Sequence, residues 1–192
     1  MMIVDIFDDM SLCTEAEVQR MLPLVSAQRR ETALKYKHVF GQWACLKSWL
    51  MLENAISEDG KSSNPRWLFN EYGKPYIPGG AEFSISHCKQ GIAVAVDDRP
   101  IGIDIECIRD ISPELVARTM NEQEQSAINN QPSAIGRVTE FTKLWTQKEA
   151  WLKYKGTGII DDLQHVLDNT EGVELETVMK ENYVYTICYE KR

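Results

Sequence analysis

The sequence predicts a mixed α/β fold, of the α+β kind, in which one plan is used twice: helices leading into strands. Three observations predict it. IVDIF (3–7), FSISH (83–87) and IGIDIEC (101–107) alternate with the two-residue period of strands. Two long stretches, 26–56 and 137–155, carry apolar residues at helical spacing. Each of these is followed by short strand-like segments separated by turn residues, with a junction near 98–100 that lacks the composition of a flexible linker. The chain divides there into halves 1–98 and 99–192.

Taken in order, IVDIF is a strand, 14–21 a helix, and 26–56 a long helix whose stripe includes Leu34, Trp43, Leu46, Leu50 and Ile56. SEDGKSSNP (57–65) is a loop by its turn residues. RWLFNEYGKPYIPGG (66–80) reads as short strands, with turns at Gly73 and at Pro78-Gly79-Gly80. FSISH and GIAVAV (91–96) are strands, DDRP (97–100) a turn, and IGIDIEC the next strand. Ser112 before Pro113 and Glu114 is an N-cap with proline at the first helical position. Asn121-Glu122-Gln123-Glu124 resembles a second helix start, and Lys155-Gly156-Thr157-Gly158 ends the helix 137–155. Strands are expected near 163–168, 173–178 and 182–189.

Composition narrows the function. With 192 residues, 43% hydrophobic and 26% charged, the chain has the make-up of a soluble protein long enough to bury a core. No apolar run reaches the length of a membrane span. The N-terminus has three aspartates within nine residues and no basic n-region, so a cytoplasmic location is expected. Five scattered cysteines without a CxxC pair argue against a disulfide framework or a zinc site. A net charge of -8 argues against general nucleic-acid binding. Yet 28–53 and 137–155 each hold five basic residues against two acidic, a local net of +3. These are either solvated helix faces or a source of positive potential for an anionic ligand.

Three constellations carry chemistry. In IGIDIE, the isoleucines share one strand face and Gly102, Asp104 and Glu106 the other, with the two carboxylates roughly 7 Å apart along the strand. Such a pair is either an acidic wet face or, with phosphate oxygens completing the shell, a site for Mg²⁺. In FTKLWTQKEAWLKYKG (141–156), Phe141, Leu144, Trp145, Trp151 and Leu152 fall within an arc of about 120°. Lys148 lies near the middle of that arc, Glu149 at its edge, and Lys153 one turn later. Either Lys148 snorkels and Glu149–Lys153 is a surface pair, or these groups serve an anionic ligand. In GKPYI…FSISHC (73–88), Lys74 sits in a turn, and Ser86 and His87 end a strand; either His87 is a satisfied polar residue at a sheet edge, or the strand end grips a phosphate.

In this order, FSISHC, GIDIE and LWTQKEAWLKYKGTG, preceded by GKP, resemble the signature segments of the 4′-phosphopantetheinyl transferase superfamily, in its longer, single-chain surfactin-synthetase-activating form. The resemblance covers residues 26 to 158 and is weak between 107 and 137. It implies two similar α/β halves related by a pseudo-twofold, with the active site in the cleft between them, and a monomer. It implies Mg²⁺-dependent transfer of the phosphopantetheine arm of coenzyme A to a serine of an apo acyl or peptidyl carrier protein, releasing adenosine 3′,5′-bisphosphate. Asp104, Glu106 and Glu149 would hold Mg²⁺, with Glu149 also the candidate base. Lys148 and Lys153 would contact phosphates, Lys153 stabilising the leaving group. Lys74, Ser86, His87 and Arg29 would bind the nucleotide and its 3′-phosphate. Two other classes fit parts of the pattern: a Mg²⁺-dependent nuclease or phosphohydrolase, and a carrier-protein-binding module that has lost activity.

Overall fold

The computed structural model describes residues 1–58, 67–158 and 162–191. The first half opens with β1 (Ile3–Phe7) and α1 (Glu15–Met21), the latter started by Thr14, whose hydroxyl accepts the Glu17 N–H. The helix expected over 26–56 is two helices, α2 (Ala27–Leu34) and α3 (Val39–Glu58). The chain turns at 35–38, where the Tyr36 carbonyl accepts from the Gln42 side chain and the Tyr36 ring folds over Gly41. The turn lets α2 fold back and lay the Arg29 guanidinium on the Trp49 ring of α3. No glycine or proline in Lys35-Tyr36-Lys37-His38 announces the break.

Next come the hairpin strands β2 (Leu68–Phe69) and β3 (Pro75–Tyr76), then β4 (Glu82–Cys88) and β5 (Gly91–Asp97). Of the loop expected at 57–65, residues 59–65 lie outside the described residues. The second half holds β6 (Ile101–Cys107), α4 (Pro113–Thr119), α5 (Glu122–Asn129), α6 (Ala134–Lys155), β7 (Val173–Met179) and β8 (Tyr183–Glu190). Ser112 and Asn121 cap α4 and α5 as expected. Gly156, at φ 71°, ends α6 in the left-handed conformation that glycine adopts without a Cβ penalty.

The expected strand at 163–168 is a set of turns. Its apolar residues Leu163 and Val166 are buried, which explains the strand-like pattern. The carbonyls of Leu163 and Gln164, however, accept hydrogen bonds from the Lys148 ammonium instead of entering a ladder.

Beside the β2–β3 hairpin, the described residues form two three-stranded antiparallel sheets, with orders β1-β5-β4 and β6-β8-β7. In each, the strand first in the chain pairs with the third, and the third with the second. β5 is buried on both faces, which is why GIAVAV is apolar throughout. Ile92, Val94 and Val96 join the α3 core with Trp43, Leu46 and Leu52, while the small Ala93 and Ala95 meet Ile101, Ile103 and Ile105 of β6.

The opposite face of β6 receives α6. A Cβ at Gly102 would stand 2.0 Å from the Ala150 carbonyl oxygen and 2.5 Å from the Tyr154 nitrogen. Only glycine permits this approach of helix backbone to strand, and it brings the next inward residue, Asp104, against α6. No helix among the described residues is long and apolar enough to cross a membrane.

Because the atoms a side chain would strike are helix backbone, Gly102→Ala is expected to destabilise by about 3 kcal/mol, the upper end of ordinary over-packing. Urea denaturation measures it; a loss below about 0.5 kcal/mol would contradict this packing.

Candidate active site

The site forms where β4 runs beside β6 without a ladder between them. Phe83 and Ile85 of β4 face the α3 core, which turns Ser84 and Ser86 to the other side. The Ser84 hydroxyl accepts the Ile103 N–H at 3.0 Å, and the Ser86 hydroxyl donates to Asp104 Oδ1 at 2.8 Å. The same oxygen accepts the Lys153 ammonium at 2.7 Å. Asp104 is 3% exposed, and its second oxygen, Oδ2, is buried with no hydrogen-bond partner. A buried carboxylate oxygen without a donor is costly unless a cation serves it.

Two further carboxylates add negative charge. Burial, then the nearby Asp104 charge, pushes Glu106 up to about 6, against the pull of Arg109 and Lys153. Burial, then Asp104, also raises Glu149, with Lys153 opposing. Lys153 thus acts on all three. Among the described residues no three acidic, histidine or cysteine side chains close up into a metal cage of their own. An octahedral Mg²⁺ that keeps waters and takes phosphate oxygens does not require one.

Beside the carboxylates opens a cleft of about 280 Å³, lined by Tyr72, Lys74, Ser84, Glu149, Lys153 and Gly156 among others. Its far wall is the β2–β3 hairpin, which is tied to the end of α6. Asn70 donates to the Gly156 carbonyl at 2.9 Å and accepts the N–H groups of Tyr72 and Lys74. The Lys74 ammonium donates to the Lys153 carbonyl at 2.7 Å, meeting an unpaired carbonyl at the negative end of the helix. Burial lowers the Lys74 pKa. His87 lies exposed beyond Ser86, edge-on to Phe40; desolvation, then the Lys153 charge, holds its imidazole below the usual range. A second recess of about 220 Å³ reaches Glu106 from the side of Arg109, Phe141 and Trp145.

The structure therefore brings together Asp104, Glu106, Glu149 and Lys153, with Lys74, Ser86 and His87 around them. It places two expected site residues elsewhere. Lys148 is 0% exposed, and its three donors reach Glu124 Oε2 at 2.7 Å and the carbonyls of Leu163 and Gln164 at 2.8 and 3.3 Å. Glu124 Oε2 also accepts the Asn121 N–H in the capping box of α5. Lys148 is thus a buried structural cation joining α6, α5 and the 163–164 turn, with no donor left for a phosphate. Arg29 lies on Trp49 at 3.4 Å in a separate recess of about 100 Å³ with Trp67 and Phe69.

Asn70 and Ser84 escaped the sequence reading. Asn70 was readable from its position three residues before the turn glycine, and Ser84 from sharing a strand face with Ser86.

Two expectations follow. Lys148→Met should cost about 3–5 kcal/mol by stranding Glu124, with Lys148→Met/Glu124→Leu recovering most of it in chemical denaturation; a cost near zero for the single change would contradict the pair's role. Folded Glu106 holds its proton to about 6 whereas the unfolded chain releases it near 4.5, so its contribution to stability is present below that range and lost as pH rises through it. In chelator, Glu106→Gln should therefore raise the melting temperature at pH 8 and bring no gain near pH 4.5; an equal gain at both would show that charge is not the cause.

A model of the 4′-phosphopantetheinyl transferase superfamily matches residues 100–191. The 4′-phosphopantetheinyl transferase Sfp of Bacillus subtilis (strain 168) is 30% identical over 197 residues, covering 99% of this chain and 87% of the relative. The 4′-phosphopantetheinyl transferase ffp of Bacillus subtilis is 32% identical over 163 residues, 83% of this chain and 72% of that one. The 4′-phosphopantetheinyl transferase gsp of Aneurinibacillus migulanus is 29% identical over 137 residues, 70% and 57% of the two chains. The family model falls on the second half, while the alignment with Sfp runs through both. This chain belongs to the 4′-phosphopantetheinyl transferase superfamily, in its Sfp-like branch.

Proposed function

We propose that the protein transfers the 4′-phosphopantetheine group of coenzyme A to a serine of an apo acyl or peptidyl carrier protein, with Mg²⁺ bound, and releases adenosine 3′,5′-bisphosphate. The observation that carries this reading is the pairing of an unpartnered, buried Asp104 oxygen with Glu106, Glu149 and Lys153 beside a cleft that also holds Lys74.

The donor set suits Mg²⁺: it is all oxygen, it includes a buried carboxylate oxygen with no other partner, and its other carboxylates are disfavoured as anions where they stand. Asp104, Glu106 and Glu149 would hold the ion, which supplies charge neutralisation at the pyrophosphate of coenzyme A.

The protein's own groups do the rest. Lys74 and Lys153 line the cleft and bind phosphate oxygens there, and Tyr72 beside them offers a flat surface. Glu149, raised by burial toward the pH at which a base is most effective, takes the serine proton directly or through a water. The serine oxygen forms its bond to the phosphorus that carries pantetheine. The bond from that phosphorus to the bridging oxygen breaks, and the adenosine bisphosphate leaves with the electron pair. Lys153 stabilises the charge that develops on it. His87, whose imidazole is held largely neutral, serves the nucleotide as a hydrogen-bonding rather than a charged group.

The repeated strand order supports halves 1–98 and 99–192 related by a pseudo-twofold, working within one monomer. The chain's local positive charge would meet an acidic carrier surface despite the overall charge of -8.

The test is the intact mass of an apo acyl carrier protein after incubation with the protein, coenzyme A and Mg²⁺. A gain of one phosphopantetheine, lost in chelator, is expected. No gain on several carrier types by a folded preparation that binds coenzyme A would overturn the reading in favour of a binding module.

A further inference from the structure

Asp104 is held asymmetrically. Oδ1 accepts two donors, the Ser86 hydroxyl at 2.8 Å and the Lys153 ammonium at 2.7 Å, while Oδ2 is buried without a partner. An aspartate carboxyl turns easily about its last torsion, so something must decide which oxygen faces which way. The two donors on Oδ1 are unequal as anchors. Lys153 reaches in on a long side chain from the cleft wall and is 29% exposed at its side chain. Ser86 is 8% exposed and sits on a strand whose neighbouring hydroxyl, Ser84, is bonded to the Ile103 backbone. The one proton of the Ser86 hydroxyl is already directed to Asp104.

From this we infer that the Ser86 hydroxyl is a positioning group for the cation: it fixes Asp104 through Oδ1 so that Oδ2 is presented to Mg²⁺. The anchor stays in place when Lys153 turns to a phosphate. The inference rests on the cation reading given above and deepens it. Outer partners that orient a ligating carboxylate contribute about 10–100-fold to metal affinity.

The test titrates Mn²⁺ into the protein with coenzyme A present and follows the free-ion electron paramagnetic resonance signal, corrected by the same titration of coenzyme A alone. With coenzyme A saturating for each variant, Ser86→Ala should weaken Mn²⁺ binding about 10–100-fold, and Ser86→Thr should restore it. If Ser86→Ala does not fold, Ser86→Thr and Ser86→Val compare a hydroxyl with a methyl at constant shape, and only Thr should retain tight binding. Mn²⁺ affinity within twofold of the parent in Ser86→Ala, or equal in Thr and Val, would overturn the inference and leave the cation reading standing. No uptake by the parent protein beyond that of coenzyme A would overturn both.

Discussion

At the β4–β6 seam two strands of different sheets run together without a ladder, and side-chain hydroxyls take the place of the missing bonds. Ser84 serves the β6 backbone and Ser86 serves Asp104. A polar seam inside an apolar core is tolerable only when its groups are paired. Among the described residues the buried side-chain oxygen left without a partner is Asp104 Oδ2, the atom that the proposed function gives to a cation. The surrounding packing follows from bringing a helix to that seam. Ala93 and Ala95 make room for the β6 isoleucines on one side, and Gly102 lets the α6 backbone close on the other.

Once α6 lies on β6, it is held from two directions. The buried Lys148 ammonium ties its middle to Glu124 and to the 163–164 carbonyls, and Lys74 and Asn70 tie its end to the β2–β3 hairpin. Glu149 and Lys153 stand between these anchors. The charged groups are thus fixed in advance, which is what the proposed phosphate chemistry would require of a preorganised electrostatic site. Buried ion pairs add little net stability relative to apolar residues. The Lys148–Glu124 pair earns its place through geometry: it joins three segments in one register.

Much of this was legible in the sequence, for reasons that also explain the failures. Alternation in IGIDIE put Asp104 and Glu106 on one face because a strand has only two faces. The caps at Ser112 and Asn121 were readable because capping depends on local side-chain chemistry. Lys148 was correctly read as inward-facing, but a helical wheel gives a direction and not a partner. Glu124, 24 residues earlier in the chain, supplies the partner through a tertiary contact that periodicity cannot contain. The strand expected at 163–168 failed for the same reason. Leu163 and Val166 have a strand's apolarity, yet their backbone is shaped by a distant ammonium. The resemblance implies a phosphate role for Arg29; in the fold its guanidinium lies on the ring of Trp49, 20 residues on, a tertiary contact that the sequence pattern does not contain. Alternation puts Ser86 on the strand face opposite the α3 core, but its hydrogen bond to Asp104 Oδ1 is again a tertiary contact.

On the proposed function, the seam offers one particular atom, Asp104 Oδ2, to a divalent cation beside the cleft that holds Lys74 and Lys153. The direct measurement is an anomalous difference map from crystals grown with coenzyme A and Mn²⁺. A peak at inner-sphere distance from Asp104 Oδ2, about 2.2 Å, with phosphate oxygens in its shell and Ser86 still on Oδ1, is the predicted result. A peak held by other residues, or one bound through Oδ1 with the Ser86 bond broken, would contradict the account.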